Sequence, residues 1–263
     1  MKAIVLDRHL RGHNNFLEVH ILAKKISKLK YIAALLCSLF SFNTFAADIP
    51  TSARAEQSIA KVESRLQREM KEKGLEYGAP IFIRIFKDPG VLELWVESAD
   101  GDFLHFKSYD ICTFSGVLGP KRRQGDNQSP EGFYFVNAGR LNPWSQFHLS
   151  FNLGYPNQYD RHHNRTGSAL MVHGSCVSVG CYAMTDDYIE EIYALAAAAL
   201  QSGQAFFRVH AFPFKLEPEI LSTYSAHPWH PFWLNLKEGY DYFKKYNRPP
   251  NVNVVNGQYV FGD

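Results

Sequence analysis

The stretch LMVHGSCVSVGCYAM, residues 170–184, places His173 eight residues before Cys181, which follows directly on Gly180. A thiol of ordinary pKa, about 8.5, is mostly protonated at neutral pH, and a neighbouring imidazolium lowers it to roughly 3.5–7.5. Cys181 with His173, the histidine nearest to it in sequence, is therefore expected to hold a thiolate nucleophile beside its base. Gly180 lets the backbone turn tightly, exposing the sulfur and aiming N–H groups at a developing oxyanion. Donors of that kind contribute about 2.7–4 kcal/mol, enough to matter for amide cleavage.

The same residue types admit plainer uses. A lone cysteine and a lone histidine in a β domain are more often core or surface residues. Cys176 and Cys181 with His162, His163 or His173 would supply zinc ligands, but the C-x4-C gap lacks the second paired element that structural zinc sites carry. Beyond residue 46 the cysteines are Cys112, Cys176 and Cys181, an odd number. Either one pair bonds and one thiol stays free, or all three are reduced. Pairing Cys112 with Cys176 would leave Cys181 as the free one. The basic run Lys121, Arg122 and Arg123 either meets acidic peptides or is a solvated loop.

These residues need elements to position them. Residues 52–73 carry Ala55, Ile59, Val62, Leu66 and Met70 at helical spacing with Gly74 beyond, which predicts an amphipathic helix on the flank of the domain. From Pro80 onward the runs IFIRIF, VLELWVE, FLHFKSYDI, GFYFV, FHLSFN, ALMVH and FFRVHAF, divided by Gly, Pro, Asn and Asp, predict strands. A helix over about 186–201 is expected between them, with Thr185 as N-cap and Gly203 past its end. After Phe214 two further helices, 218–224 and 233–246, precede PPNVNVVNGQYVFG, a hairpin turning at Asn256-Gly257. The fold class expected is mainly β with α, that is α+β.

The chain of 263 residues is 46% hydrophobic and 21% charged, so it can bury a core, and wholesale disorder is excluded. Lys and Arg number 28 against 26 Asp and Glu, a balance that offers no broad basic surface for nucleic acid. Lys24, Lys25, Lys28 and Lys30, then the apolar run YIAALLCSLFSF, then NTFAAD, follow the order of a secretory signal, with cleavage expected after Ala46. That apolar run is shorter than the roughly 20 residues a spanning helix needs, so no stable membrane insertion is expected once the signal is removed. The expected division is 1–46 signal peptide, 47–78 N-terminal helix, 79–212 catalytic domain and 213–263 a C-terminal subdomain packed on it.

The pair His173-Gly174 followed by the turn Ser178-Val179-Gly180-Cys181 resembles the signature of the L,D-transpeptidase catalytic domain family (YkuD-like), and GDNQSPEGFY resembles that family's proline-glycine strand entry. The histidine–cysteine gap is shorter than in most members, and Ala183 stands where many carry an arginine. With GPKRRQGDNQSPEGFY, NLGYPNQYDR and GYDYFKKYNRPPNVNVVNGQYV also present, the chain is similar to the YafK branch from about Pro80 to Phe261. The resemblance implies a β-sandwich catalytic domain with a supporting helix and a periplasmic location. It implies that Cys181 is the nucleophile and that His173 is general base and then acid. The Gly174 carbonyl would orient the imidazole, and the Gly180 and Cys181 N–H groups would hold the oxyanion. Ser178, Arg161, Tyr155 and Asp126 lie in the matching segments and are the expected substrate-binding residues.

For this branch the implied reaction is hydrolysis of the amide between peptidoglycan meso-diaminopimelate and the C-terminal lysine of the major outer-membrane lipoprotein. The partners would be peptidoglycan stem peptides and peptidoglycan-linked lipoprotein, with no cofactor and no metal. Two alternatives remain: a transpeptidase that forms 3-3 crosslinks or attaches lipoprotein, and a peptidoglycan-binding module without turnover.

Overall fold

The computed structural model describes residues 48–262; the signal expected over residues 1–46 lies outside them. In chain order the elements are α1 (Ala53–Glu72), β1 (Ile81–Phe86), β2 (Val91–Glu97), β3 (Phe103–Asp110), β4 (Thr113–Phe114), β5 (Gly132–Val136), β6 (Leu141–Asn142) and β7 (Ser150–Asn152). They continue with α2 (Gln158–His162), β8 (Met171–His173), β9 (Tyr182–Ala183), α3 (Asp186–Gln201), β10 (Phe207–Phe212), α4 (Pro218–Thr223), α5 (His230–Tyr246), β11 (Asn251–Val255) and β12 (Gln258–Gly262). The class is α+β, as the sequence predicts.

Two five-stranded sheets form the frame, one ordered β3-β2-β1-β10-β5 and the other β4-β9-β8-β7-β6. Strand pairs are antiparallel except β1 with β10 and β8 with β9. Side chains alternate across a strand, so β1, buried along its whole length, serves two cores. Ile81, Ile83 and Ile85 join Phe151, Val172 and Tyr182 of the second sheet in the main core. Phe82 and Phe86 face the other way, against Phe243 at 4.8 Å and Tyr240 at 6.4 Å on α5.

Helix α3 touches α1, β1 and β7, so it lies against both sheets. Its run of small residues, Ala194 and Ala196 to Ala199, is buried throughout. Ser52 and Thr185 cap α1 and α3 by accepting from Ala55 N and Tyr188 N. The flank expected for α1 is the charged side of α3: Lys61 meets Glu190 at 2.7 Å, and Arg65 meets Glu191 at 2.7 Å.

Two expected strands are shorter than their sequence runs. His148, at φ +66°, breaks FHLSFN so that β7 begins only at Ser150, and Ala169, at φ +57°, delays β8 to Met171. Helix α5 begins at His230, ahead of the expected Trp233, because Pro231 fits a first helical turn. The Asn256-Gly257 hairpin is present, but it is more than a surface turn. Tyr259 is buried, stacked on Tyr159 at 4.3 Å, and Asn235 exchanges two hydrogen bonds with its backbone. Among the described residues no helix is long and apolar enough to cross a membrane.

Candidate active site

Strands β8 and β9 pair Val172 with Tyr182 and His173 with Ala183. Val172 and Tyr182 point into the main core. The alternation therefore carries Met171, His173 and Cys181 to the opposite face, where His173 and Cys181 are diagonal neighbours on adjacent strands. The sulfur of Cys181 accepts a hydrogen bond from Met171 N at 3.4 Å, and its S–H is directed at the Ala169 carbonyl at 3.8 Å.

The His173 ring is held in one tautomer. Its Nδ1 lies 2.6 Å from the Gly174 carbonyl, and a carbonyl only accepts, so the proton sits on Nδ1 and Nε2 keeps its lone pair. Phe147 covers the ring with centroids 4.7 Å apart. Gly174 is fixed in turn, donating to the Phe147 and Leu149 carbonyls. A Cβ at residue 174 would come within 2.5 Å of Asp186 Oδ1, which already accepts from Ser175 N at 2.8 Å. The start of α3 thus presses directly on the group that orients the imidazole.

The loop between the histidine and the cysteine is pinned covalently. Cys112, just beyond β3, is bonded to Cys176 with the Cα atoms 5.3 Å apart, and Cys181 is the free cysteine among the described residues. Bonding at Cys176 removes it from the zinc set considered above, and the described residues contain no group of three or more His, Cys, Asp or Glu able to hold a metal. Ala183 is fully buried opposite His173 and gives its carbonyl to Cys112 N. An arginine side chain has no room there.

Burial works against a resting thiolate. Burial pushes the Cys181 thiol up, only partly opposed by the Met171 N–H and by the charge of Lys121. Burial also pushes the His173 imidazole down, against the Gly174 hydrogen bond. Both shifts have one cause, loss of water by the charged form. Both shifts favour neutral thiol and neutral imidazole, which leaves Nε2 able to take a proton during attack.

The oxyanion donors are also not free as expected. Gly180 N donates to Ser115 Oγ at 2.8 Å, and Cys181 N donates to Ser178 Oγ at 3.1 Å. Ser178 Oγ also contacts Ser115 Oγ and the Cys181 carbonyl, at 2.8 and 2.7 Å, while Ser129 Oγ donates to that same carbonyl at 2.8 Å. Ser178 is thus a brace of the nucleophile's own backbone. Gly180 takes φ +91°, a conformation open to glycine and strained for other residues, which is what the tight turn requires.

Asp126 and Tyr155 reach this site through Lys121. The Lys121 ammonium is buried, 2.5 Å from Asp126 Oδ1 and 3.0 Å from the Arg123 carbonyl. Tyr155 donates its hydroxyl to the Lys121 carbonyl at 3.2 Å. Burial would raise the Asp126 carboxyl, but Lys121 and the Arg122 and Arg123 amides hold it below the usual carboxylate range. Arg161 is not part of this cluster; it lines a separate groove with β5, β10 and β11. The sequence reading missed Ser115 and Phe147, which lie in no quoted motif, and gave no role to Ser129 inside GDNQSPEGFY; it treated Lys121 only as one of a basic run. The apolar residues Val177 and Val179 of the pinned loop and Phe147 beside His173 are exposed, giving the site an apolar rim.

A profile of the L,D-transpeptidase catalytic domain, YkuD, matches residues 97–203, a span that holds His173, Gly180 and Cys181. YafK of Escherichia coli K12 is 45% identical over 183 residues, covering 70% of this chain and 74% of that protein, and YafK of Escherichia coli O157:H7 matches to the same extent. Among solved structures, the helical cell shape determining protein Pgp2 of Campylobacter jejuni is 16% identical over 73% of this chain and 80% of its own, with a TM-score of 0.42. Bd1075 of Bdellovibrio bacteriovorus is 17% identical over 68% of this chain and 78% of its own, with a TM-score of 0.37.

Proposed function

This chain belongs to the L,D-transpeptidase family, whose catalytic domain performs cysteine-dependent acyl transfer on cell-wall peptides, and from that premise we propose that it is a periplasmic amidase. Its substrate is the amide joining peptidoglycan meso-diaminopimelate to the C-terminal lysine of the major outer-membrane lipoprotein. The observation that carries the reading is the free thiol of Cys181 on the same sheet face as an imidazole whose Nε2 holds its lone pair.

The reaction starts from the neutral pair. As Cys181 Sγ attacks the diaminopimelate carbonyl, His173 Nε2 takes the thiol proton, and the carbonyl oxygen becomes an oxyanion. The Gly180 and Cys181 N–H groups, held in the resting site by Ser115 Oγ and Ser178 Oγ, are the donors available to the oxyanion. Collapse of the tetrahedral adduct breaks the C–N bond, and His173 returns the proton to the departing lysine amine. Water attacks the thioester left on Cys181 and gives one proton to Nε2; the C–S bond breaks, Sγ takes that proton back as a thiol, and the diaminopimelate carboxyl loses its remaining proton to solvent as the carboxylate. An amine in place of water would give the transpeptidase outcome with the same residues.

The test uses lipoprotein-bearing sacculi. The parent protein is expected to release lipoprotein with an intact C-terminal lysine and to leave free diaminopimelate carboxyl ends, and folded Cys181→Ala to release none. New 3-3 dimers in place of free ends would select the transferase, and release by Cys181→Ala equal to the parent's would remove the nucleophile from the scheme.

A further inference from the structure

Apart from the Cys181 site, a groove of about 630 Å³ opens among β5, β10, β11 and α2. Three guanidinium groups line it: Arg140, Arg161 and Arg208. Each donates to a neutral acceptor. Arg140 reaches the Phe135 and Leu153 carbonyls, Arg161 the Pro156 carbonyl at 2.5 Å, and Arg208 the Asn251 amide oxygen at 2.6 Å. Among the described residues no carboxylate pairs with any of the three. Burial alone pushes the Arg140 and Arg208 guanidiniums below their usual value.

A second observation points the same way. His210 also lines the groove, is 1% exposed, and has no hydrogen-bond partner at either ring nitrogen among the described residues. The ring packs edge-to-face with Phe82 and Phe133, each with its centroid 4.6 Å away, and neither ring supplies a hydrogen-bond acceptor of the kind about 90% or more of buried polar atoms find, so its nitrogens are left for a partner entering by the groove. Burial holds His210 neutral, so one nitrogen is an N–H donor. At the rim the exposed rings of Phe135 and Phe206 lie beneath Arg140 and Arg208, at 4.4 and 5.1 Å. Stacked guanidiniums keep their in-plane donors directed outward, the geometry that grips carboxylates two bonds at a time.

We propose that this groove is a second, non-catalytic binding site for a ligand bearing two or more carboxylates, a stem peptide of the wall being the source that the function above supplies. The chemistry follows from the groove itself, and only the source rests on that function. A stem held here would keep the protein on the wall while Cys181 works on another stem.

The test is a titration of the protein, labelled with 15N in its histidines, with the free tripeptide L-alanyl-γ-D-glutamyl-meso-diaminopimelate. The His210 ring signals are expected to move saturably, separately from any movement at His173. Arg140→Gln and Arg208→Gln should each weaken this response by about tenfold or more, the loss typical of a charge-assisted hydrogen bond. Citrate moving the same signals more tightly than the tripeptide would support the polycarboxylate site and name a small polyacid as its source. Still His210 signals with both probes at millimolar concentration, an equal response to inorganic phosphate, or unchanged affinity in both folded variants would overturn the proposal. The unaltered protein supplies the ring-shift result even where a variant fails to fold. The titration needs no turnover, so it can fail while lipoprotein release stands, and the converse.

Discussion

Reducing the Cys112–Cys176 bond should destabilise the fold and disarm the site together. The bond closes a loop of 64 residues, and the chain-entropy relation gives about 4 kcal/mol for a loop of that length. For a domain of this size each kcal/mol moves the midpoint by about 2–4 °C, so the melting temperature should fall by roughly 8–16 °C. Activity should fall as well, because what then holds the loop is a few single hydrogen bonds: Cys176 N to the Met184 carbonyl, Ser175 N to Asp186, Gly180 N to Ser115, and the Ser178 hydroxyl with that of Ser115. The assay is thermal unfolding by circular dichroism and lipoprotein release at 25 °C, for the oxidised parent, the reduced parent and the Cys112→Ser, Cys176→Ser double variant. A reduced protein, with its extra thiols counted by mass labelling, that melts within about 2 °C of the parent and keeps full activity would refute the reasoning.

Three other outcomes follow from the same contacts. Gly174→Ala, whose Cβ meets Asp186 and displaces the carbonyl holding His173, should cost about 1–3 kcal/mol in denaturant unfolding and lower release a hundredfold or more, on the order of what misplacing a reacting group costs. Lys121→Met removes the one charge that opposes the upward shift of the thiol, so the pH profile of Cys181 alkylation by iodoacetamide should move to higher pH; a profile that stays or moves down contradicts the placement of Lys121. Glu131→Gln strands the wholly buried Lys87 ammonium, 3.0 Å away in the parent, and should lower stability by about 3–5 kcal/mol in urea unfolding.

The parts of this fold set by local periodicity were readable in the sequence. The stripe Ala55 to Met70, the Thr185 cap and the Asn256-Gly257 turn each form what their spacing predicts, because one face or one backbone angle decides them. Two-residue strands such as β4, β6 and β9 carry no period and exist only through their neighbours in the second sheet. The candidate site divides along the same line. His173, Gly174, Gly180 and Cys181 share one short segment with a motif. Ser115, Ser129 and Lys121 reach Gly180 and Cys181 from a loop more than fifty residues before them, a proximity only the tertiary fold creates. Ionisation depends on burial, which residue types do not reveal and which here favours the neutral pair, and Arg161 was assigned by its segment, which the fold sends to another groove.

The central claim is that Cys181 carries the acyl group between the two halves of the reaction, and peptide mapping by mass after acid quench of a reaction with lipoprotein-bearing sacculi tests it most directly. The account predicts an added muropeptide mass on the peptide containing Cys181, labile to hydroxylamine as a thioester is, and absent when His173 is replaced by Gln. Product accumulating at the parent rate after Cys181 has been fully alkylated by iodoacetamide would contradict it.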